Sequence, residues 1–87
     1  MLIQDIEERR DLRYAILAEN LKKFRIEKGY SQERISRAIG VTRMAVYRWE
    51  NKIVAPSAVS LYMWCQYVGV DINRLFMTDD EWTTHCL

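Results

Sequence analysis

Apolar residues recur at helical spacing along most of the chain, and glycine or proline interrupts the pattern at only a few points. Between Asp5 and Lys28 there is neither. Leu17, Leu21 and Phe24 lie three or four apart there, with Ile6 and Leu12 upstream, which predicts one long first helix with an open question of a break near Arg10. Gly29 supplies a left-handed stop, and Ser31 is placed to cap a second helix over about Gln32 to Ile39, with Ile35, Ala38 and Ile39 on one face. Gly40 ends that helix. Thr42 caps a third over about Arg43 to Glu50, which buries Val46 and Trp49 and turns Arg43, Met44, Tyr47 and Arg48 outward. Asn51 to Pro56 reads as a loop holding the single proline. Ser57 then caps a fourth helix to about Val68, stopped by Gly69, and Asp71 caps a very short fifth through Phe76. The remaining stretch, TDDEWTTHCL, is short, acidic and mixed, and the pattern assigns it no element.

This is an all-α chain of about five helices, and 87 residues make one domain. A domain this small buries roughly 60% of the surface of its unfolded chain, so a deep enzyme cleft is not expected. The expected organisation is a helical extension over residues 1–16, a main unit over 17–76 and a C-terminal tail over 77–87. Apolar runs such as Ala15 to Ala18 and Leu61 to Cys65 are far shorter than the roughly 18 residues of a membrane span. The start, MLIQDIEE, lacks the long apolar stretch of a secretory signal, and a cytoplasmic location is expected. Cys65 and Cys86 have no metal-ligand spacing and read as free thiols, Cys65 as a small buried apolar residue. No metal or cofactor is called for.

Net charge is only +1, but its distribution is uneven. Residues 1–30 hold seven basic against six acidic side chains, residues 31–55 five against two, and residues 56–87 one against four. The positive field is concentrated in the middle third, which is where the second and third helices lie.

Two short helices joined by a tight turn containing glycine form a helix-turn-helix unit, whose second helix suits a B-DNA major groove about 12 Å wide. The run SQERISRAIGVTRMAVYRWENK, with LKKFRIEKGY before it and APSAVSLYMWCQYVGVDINRLF after it, resembles the Cro-like and lambda-repressor-like (XRE) helix-turn-helix domain over roughly residues 17–76. The matching positions are Leu21, Arg25, Gly29, Ser31, Gln32, Ile35, Gly40, Val41, Val46, Trp49, Glu50, Pro56, Ser57, Leu61 and Val70.

The resemblance implies that Gln32 bonds a backbone phosphate at the start of the second helix, and that Arg25 and Glu50 pair to lock the first helix to the third. It also implies that Thr42, Arg43, Met44 and Arg48 face base edges or adjoining phosphates of double-stranded DNA. The chemistry agrees, because the Arg43 guanidinium fork matches guanine O6 and N7, and the Met44 thioether suits a thymine methyl. Tyr47 and Asn51 are uncharged donors at the rim and are assigned to phosphates. Lys52 stands where many relatives have glycine, which puts the exit from the third helix in question while adding a candidate phosphate contact. Ser36 replaces the usual small apolar residue. Arg34, Arg37 and Lys52 also read as ordinary solvated surface charges.

The fourth helix is apolar around most of its circumference at Leu61, Tyr62, Met63 and Trp64, with Cys65, Tyr67 and Val68 following. Either the first helix covers its second side or a partner subunit does. A homodimer is the preferred account, with Tyr62, Trp64, Tyr67, Phe76 and Trp82 as interface candidates and Leu87 joining them. A two-fold pair would read two half-sites about 34 Å apart. The expected function is therefore sequence-specific transcriptional regulation, by repression at a palindromic operator. The alternative is a protein-interaction module, an antitoxin or adaptor, with DNA binding secondary. An enzyme is not expected, since His85 and Cys86 are sequence neighbours at a chain end with no orienting third group.

Overall fold

A computed structural model describes residues 3–86 of the chain. Its described residues form six helices and no strand: α1 (Ile3–Glu27), α2 (Gln32–Ile39), α3 (Arg43–Glu50), α4 (Ala58–Val68), α5 (Ile72–Leu75) and α6 (Asp79–Cys86). The expected stops and caps explain the boundaries. At the end of α1 the Tyr30 amide donates to the Arg25 carbonyl and the Gly29 amide to that of Ile26, the paired bonds of a Schellman turn. That turn needs the left-handed backbone of Gly29, at φ 74°. Ser31, Thr42 and Ser57 each accept an amide proton from the residue three positions on, and Asp71 accepts one from Asn73.

The core sits where the inner faces of the first five helices meet. Leu17, Leu21 and Phe24 from α1 pack with Ile35 and Ile39, Val46 and Trp49, and Leu75, while α4 contributes Leu61, Trp64, Cys65 and Val68. Helix α2 packs on α3 and α4, and α1 on α3 and α5. Burial pushes the Cys65 thiol pKa up, aided by nearby Asp71, which keeps it an inert thiol. Ser36 is buried too, and its hydroxyl donates to the Glu33 carbonyl at 2.7 Å, so this departure from the family pattern costs no unsatisfied group.

Helix α1 is continuous through Arg10, and residues 5–12 are exposed along its first turns. Ile6 and Leu12 are therefore outside the core stripe that begins at Ile16. The C-terminal stretch is also more ordered than the sequence pattern indicates. Thr78 and Glu81 form a reciprocal capping box, the Thr78 amide donating to Glu81 Oε1 and the Glu81 amide to Thr78 Oγ1. That box starts α6, which buries no residue of its own.

Ion pairs tie α6 down instead. Arg13 gives Glu81 two bonds of 2.7 and 2.8 Å, and Asp79 accepts from Lys23 and Arg74. The Arg13 bonds, with the Thr78 amide, pull the Glu81 carboxyl from 4.5 to about 2, and Lys23 and Arg74 lower Asp79. A carboxylate depressed in the folded state contributes stability above its unfolded pKa and loses it as pH falls toward the folded one. As pH drops from 4.5 to about 2, α6 amides should therefore lose hydrogen-exchange protection while those of Leu21 and Ile35 keep theirs. Equal loss in both places would show that α6 is not held by these pairs.

Behind these pairs stands a buried side chain that the sequence reading passed over. The Asn20 amide on α1 reaches the carbonyls of Arg74, Leu75 and Met77 at 2.9–3.2 Å, closing the open end of α5. An asparagine set among Leu17, Leu21 and Phe24 on a helix was its signal.

Candidate nucleic-acid interface

The inner face of α3 is fixed before its outer face can act. Val46 and Trp49 are in the core, and Glu50 is buried with them. Glu50 accepts from Arg25 Nε at 2.7 Å and from an Arg25 terminal nitrogen at 3.0 Å, and the other terminal nitrogen donates to the Tyr30 carbonyl. The side chains are 11% and 1% exposed, so this fork joins α1 to α3 largely out of water.

Gln32 belongs to the same cluster. Its Nε2 donates to Glu50 Oε1 at 3.1 Å, which holds the half-buried side chain at the first turn of α2. One amide hydrogen is used there and the second remains for a phosphate. The structure thus brings Arg25, Glu50 and Gln32 together across three helices, a link that sequence spacing could not display.

With its inner side anchored, α3 presents Arg43, Met44, Tyr47 and Arg48 to solvent, beside exposed Thr42. The Thr42 hydroxyl oxygen is the cap, accepting from the Ala45 amide at 3.1 Å, and its hydrogen stays free to donate outward. Among the described residues Arg43 and Arg48 make no ion pair, and the only carboxylate on α3 is the buried, paired Glu50. The outer face is consequently an uncompensated cationic surface with one thioether and one phenol.

Asn51 and Lys52 continue this surface past the helix end, both exposed. Asn51 donates back to the Tyr47 carbonyl at 2.8 Å, spending one of its two amide hydrogens as a C-terminal brace. Lys52 has φ 59°, the one left-handed non-glycine among the described residues. A side chain there costs about 1–2 kcal/mol relative to an ordinary conformation, a penalty that glycine would not carry. Lys52 has no ion-pair partner among the described residues.

Arg34 and Arg37 are engaged within the molecule. The Arg34 guanidinium lies 4.2 Å from the Tyr30 ring centre and donates to the Tyr67 hydroxyl at 2.9 Å, and Arg37 pairs with Glu33 one turn before it. The surface-charge reading fits both.

The interface candidates separate into different environments. Trp64 is 1% exposed at the centre of the core, so its assignment to a subunit interface is corrected. It belongs to the inward stripe of α4. Tyr62 is 62% exposed on the opposite face, near Val59 and Met63. Tyr67 is tied to Arg34, Phe76 packs against the core edge, and Trp82 is half-buried, stacked on His85 and near the Arg74 guanidinium. Leu87 lies outside the described residues. Among the described residues no helix is long and apolar enough to cross a membrane, and no three metal-binding side chains converge.

Comparison with known proteins gives the same geometry a relationship. The family profile described as helix-turn-helix matches residues 21–75. Among solved structures, a hypothetical transcription factor, NHTF, from Neisseria is similar at 31% identity and a TM-score of 0.75, over 90% of this chain and 86% of that one. The chain in a SinR protein/SinI protein complex shares the fold at 24% identity and a TM-score of 0.65, over 80% of this chain and 74% of that one. None of the curated proteins matches.

Proposed function

The chain belongs to the helix-turn-helix family of DNA-binding regulators, XRE type, and from that premise we propose that it is a repressor acting as a homodimer on a palindromic operator. The observation that carries this reading is the outer face of α3, where Arg43 and Arg48 stand without ion-pair partners among the described residues on a helix whose inner face is locked. Residues 17–76 form the DNA-binding unit in this reading. Arg43 and Met44, at the N-terminal end of α3, reach base edges with Thr42 beside them, and Arg48 one turn on reaches a base or a phosphate. Gln32, Tyr47, Asn51 and Lys52 bind the phosphate backbone on either side and set the register. Occupying an operator in the cytoplasm needs no cofactor.

Base and phosphate contacts have different signatures. Arg43→Ala should weaken binding to a selected duplex by about 1–3 kcal/mol, roughly 5- to 150-fold, and relax preference at one base pair. Gln32→Ala should weaken selected and random duplex evenly and lower the salt dependence. Fluorescence anisotropy at two salt concentrations reads both. Equal losses on selected and random DNA for Arg43→Ala would remove Arg43 from base reading.

A second reading, an antitoxin or adaptor that holds another protein, is favoured by exposed Val59, Tyr62 and Met63 on α4 and by the presence of a partner protein in the SinR structure. Tyr62→Ala then abolishes capture of that partner while Arg43→Ala leaves it intact.

A further inference from the structure

The first turns of α1 stand clear of the domain to which they are attached. Residues 5–12 are all exposed, and Ile6 and Leu12 are open to solvent at 44% and 54%. Beside this segment runs an open groove of about 940 Å³, whose apolar lining comes from Ile6, Leu12, Tyr14, Leu17, Ala55 and Phe76. The groove therefore joins the arm of α1 to the loop that leaves α3. At its wall the Tyr14 hydroxyl is sealed from solvent and has no hydrogen-bond partner among the described residues.

The charges on the arm indicate what fits. Asp5, Glu7 and Glu8 make its start acidic, and Arg9 and Arg10 outweigh Asp11 in the part that follows. Two such arms side by side in parallel would set like charges together, whereas an antiparallel pair sets each acidic turn beside the arginines of the other. A two-fold axis perpendicular to the arms generates that antiparallel arrangement from one surface meeting its own copy. A foreign helix of a single charge sign would match only one half of the arm. By contrast, the outward face of α4 at Val59, Tyr62 and Met63 carries no charge that would orient an occupant.

We propose that the α1 arm and its groove dock the α1 arm of a second copy, antiparallel, and that this contact forms the DNA-binding pair. The proposal rests on the reading of the chain as a dimeric operator-binding protein, and it moves the subunit contact from the aromatic face of α4 to α1. Since Ala55 lies in the loop that follows α3, the contact also sets the separation of the two recognition helices.

Sedimentation equilibrium of the full chain without DNA tests this, with anisotropy on a duplex carrying one half-site as the separate readout of DNA recognition. Leu12→Glu, an exposed position, should raise the dimer dissociation constant by about tenfold or more, and Tyr62→Glu should leave it unchanged. Glu7→Arg and Arg10→Glu should each weaken pairing, and the double variant should recover it, while half-site affinity stays at the wild-type value throughout and thermal stability follows the dissociation constant. A wild-type chain that remains monomeric overturns the proposal and leaves the groove to a foreign partner. So does a dimer that tolerates Leu12→Glu, or a charge swap without recovery. If the chain pairs as described yet binds no duplex, the arm contact stands and the operator reading falls.

Discussion

Glu50→Ala should destabilise the protein by about 3–5 kcal/mol, because it strands the Arg25 guanidinium in a site that excludes water. For a domain of this size that corresponds to a fall in Tm of roughly 4–8 °C per kcal/mol, a large fraction of its total stability. The loss comes chiefly from the uncompensated cation. Its former partner provides both oxygens to Arg25 and one of them also to Gln32, so three helices lose a common anchor at once. Replacing both members, Arg25→Met with Glu50→Met, should recover much of the stability, since a buried ion pair is often matched by packed apolar side chains. DNA affinity separates the two roles of the cluster. The double variant folds but leaves Gln32 without its acceptor, so phosphate binding should weaken even where the melting temperature returns. Urea denaturation alongside anisotropy measures both, and a Glu50→Ala protein as stable as the wild type would show that the pair contributes nothing to the fold.

Much of the architecture was readable because it is locally encoded. Ser31, Thr42, Ser57 and Asp71 each cap the helix predicted to follow them, and Gly29, Gly40 and Gly69 each take the left-handed conformation at a helix end. The outward set on α3 follows from the 3.6-residue period once Val46 and Trp49 are placed inside. What was not readable depends on partners distant in sequence. Asn20 acts on carbonyls more than fifty positions away, and α6 is held by Arg13, Lys23 and Arg74 through carboxylates that look in isolation like a solvated acidic tail. One signal for α6 was present all the same. Thr78 followed three residues later by Glu81 is the sequence form of a capping box, and the acidic composition of the segment obscured it. The placement of Gln32 against Glu50 had no comparable signal, since it requires the crossing of α2 with α3.

Trp64→Ala should cost about 3–5 kcal/mol, the range for emptying a large aromatic site in a packed core. Tyr62→Ala, two residues earlier, should change stability by no more than about 0.5 kcal/mol. The contrast follows from which side of α4 each residue occupies. Leu61, Trp64, Cys65 and Val68 stand at the one-, four-, five- and eight-fold places of a single helical stripe, and all four are buried. Tyr62 and Met63 lie off that stripe and are exposed. Since apolar residues run around most of the helix, hydrophobicity alone does not choose the inward face, but the stripe does. Trp64→Phe should be much milder than Trp64→Ala. It gives up part of the indole volume and also removes the buried Nε1 hydrogen, which has no acceptor among the described residues. Chemical denaturation orders the three variants, and sedimentation shows whether any alters subunit pairing. A Trp64→Ala chain that keeps its stability and loses only its oligomeric state would return Trp64 to the interface.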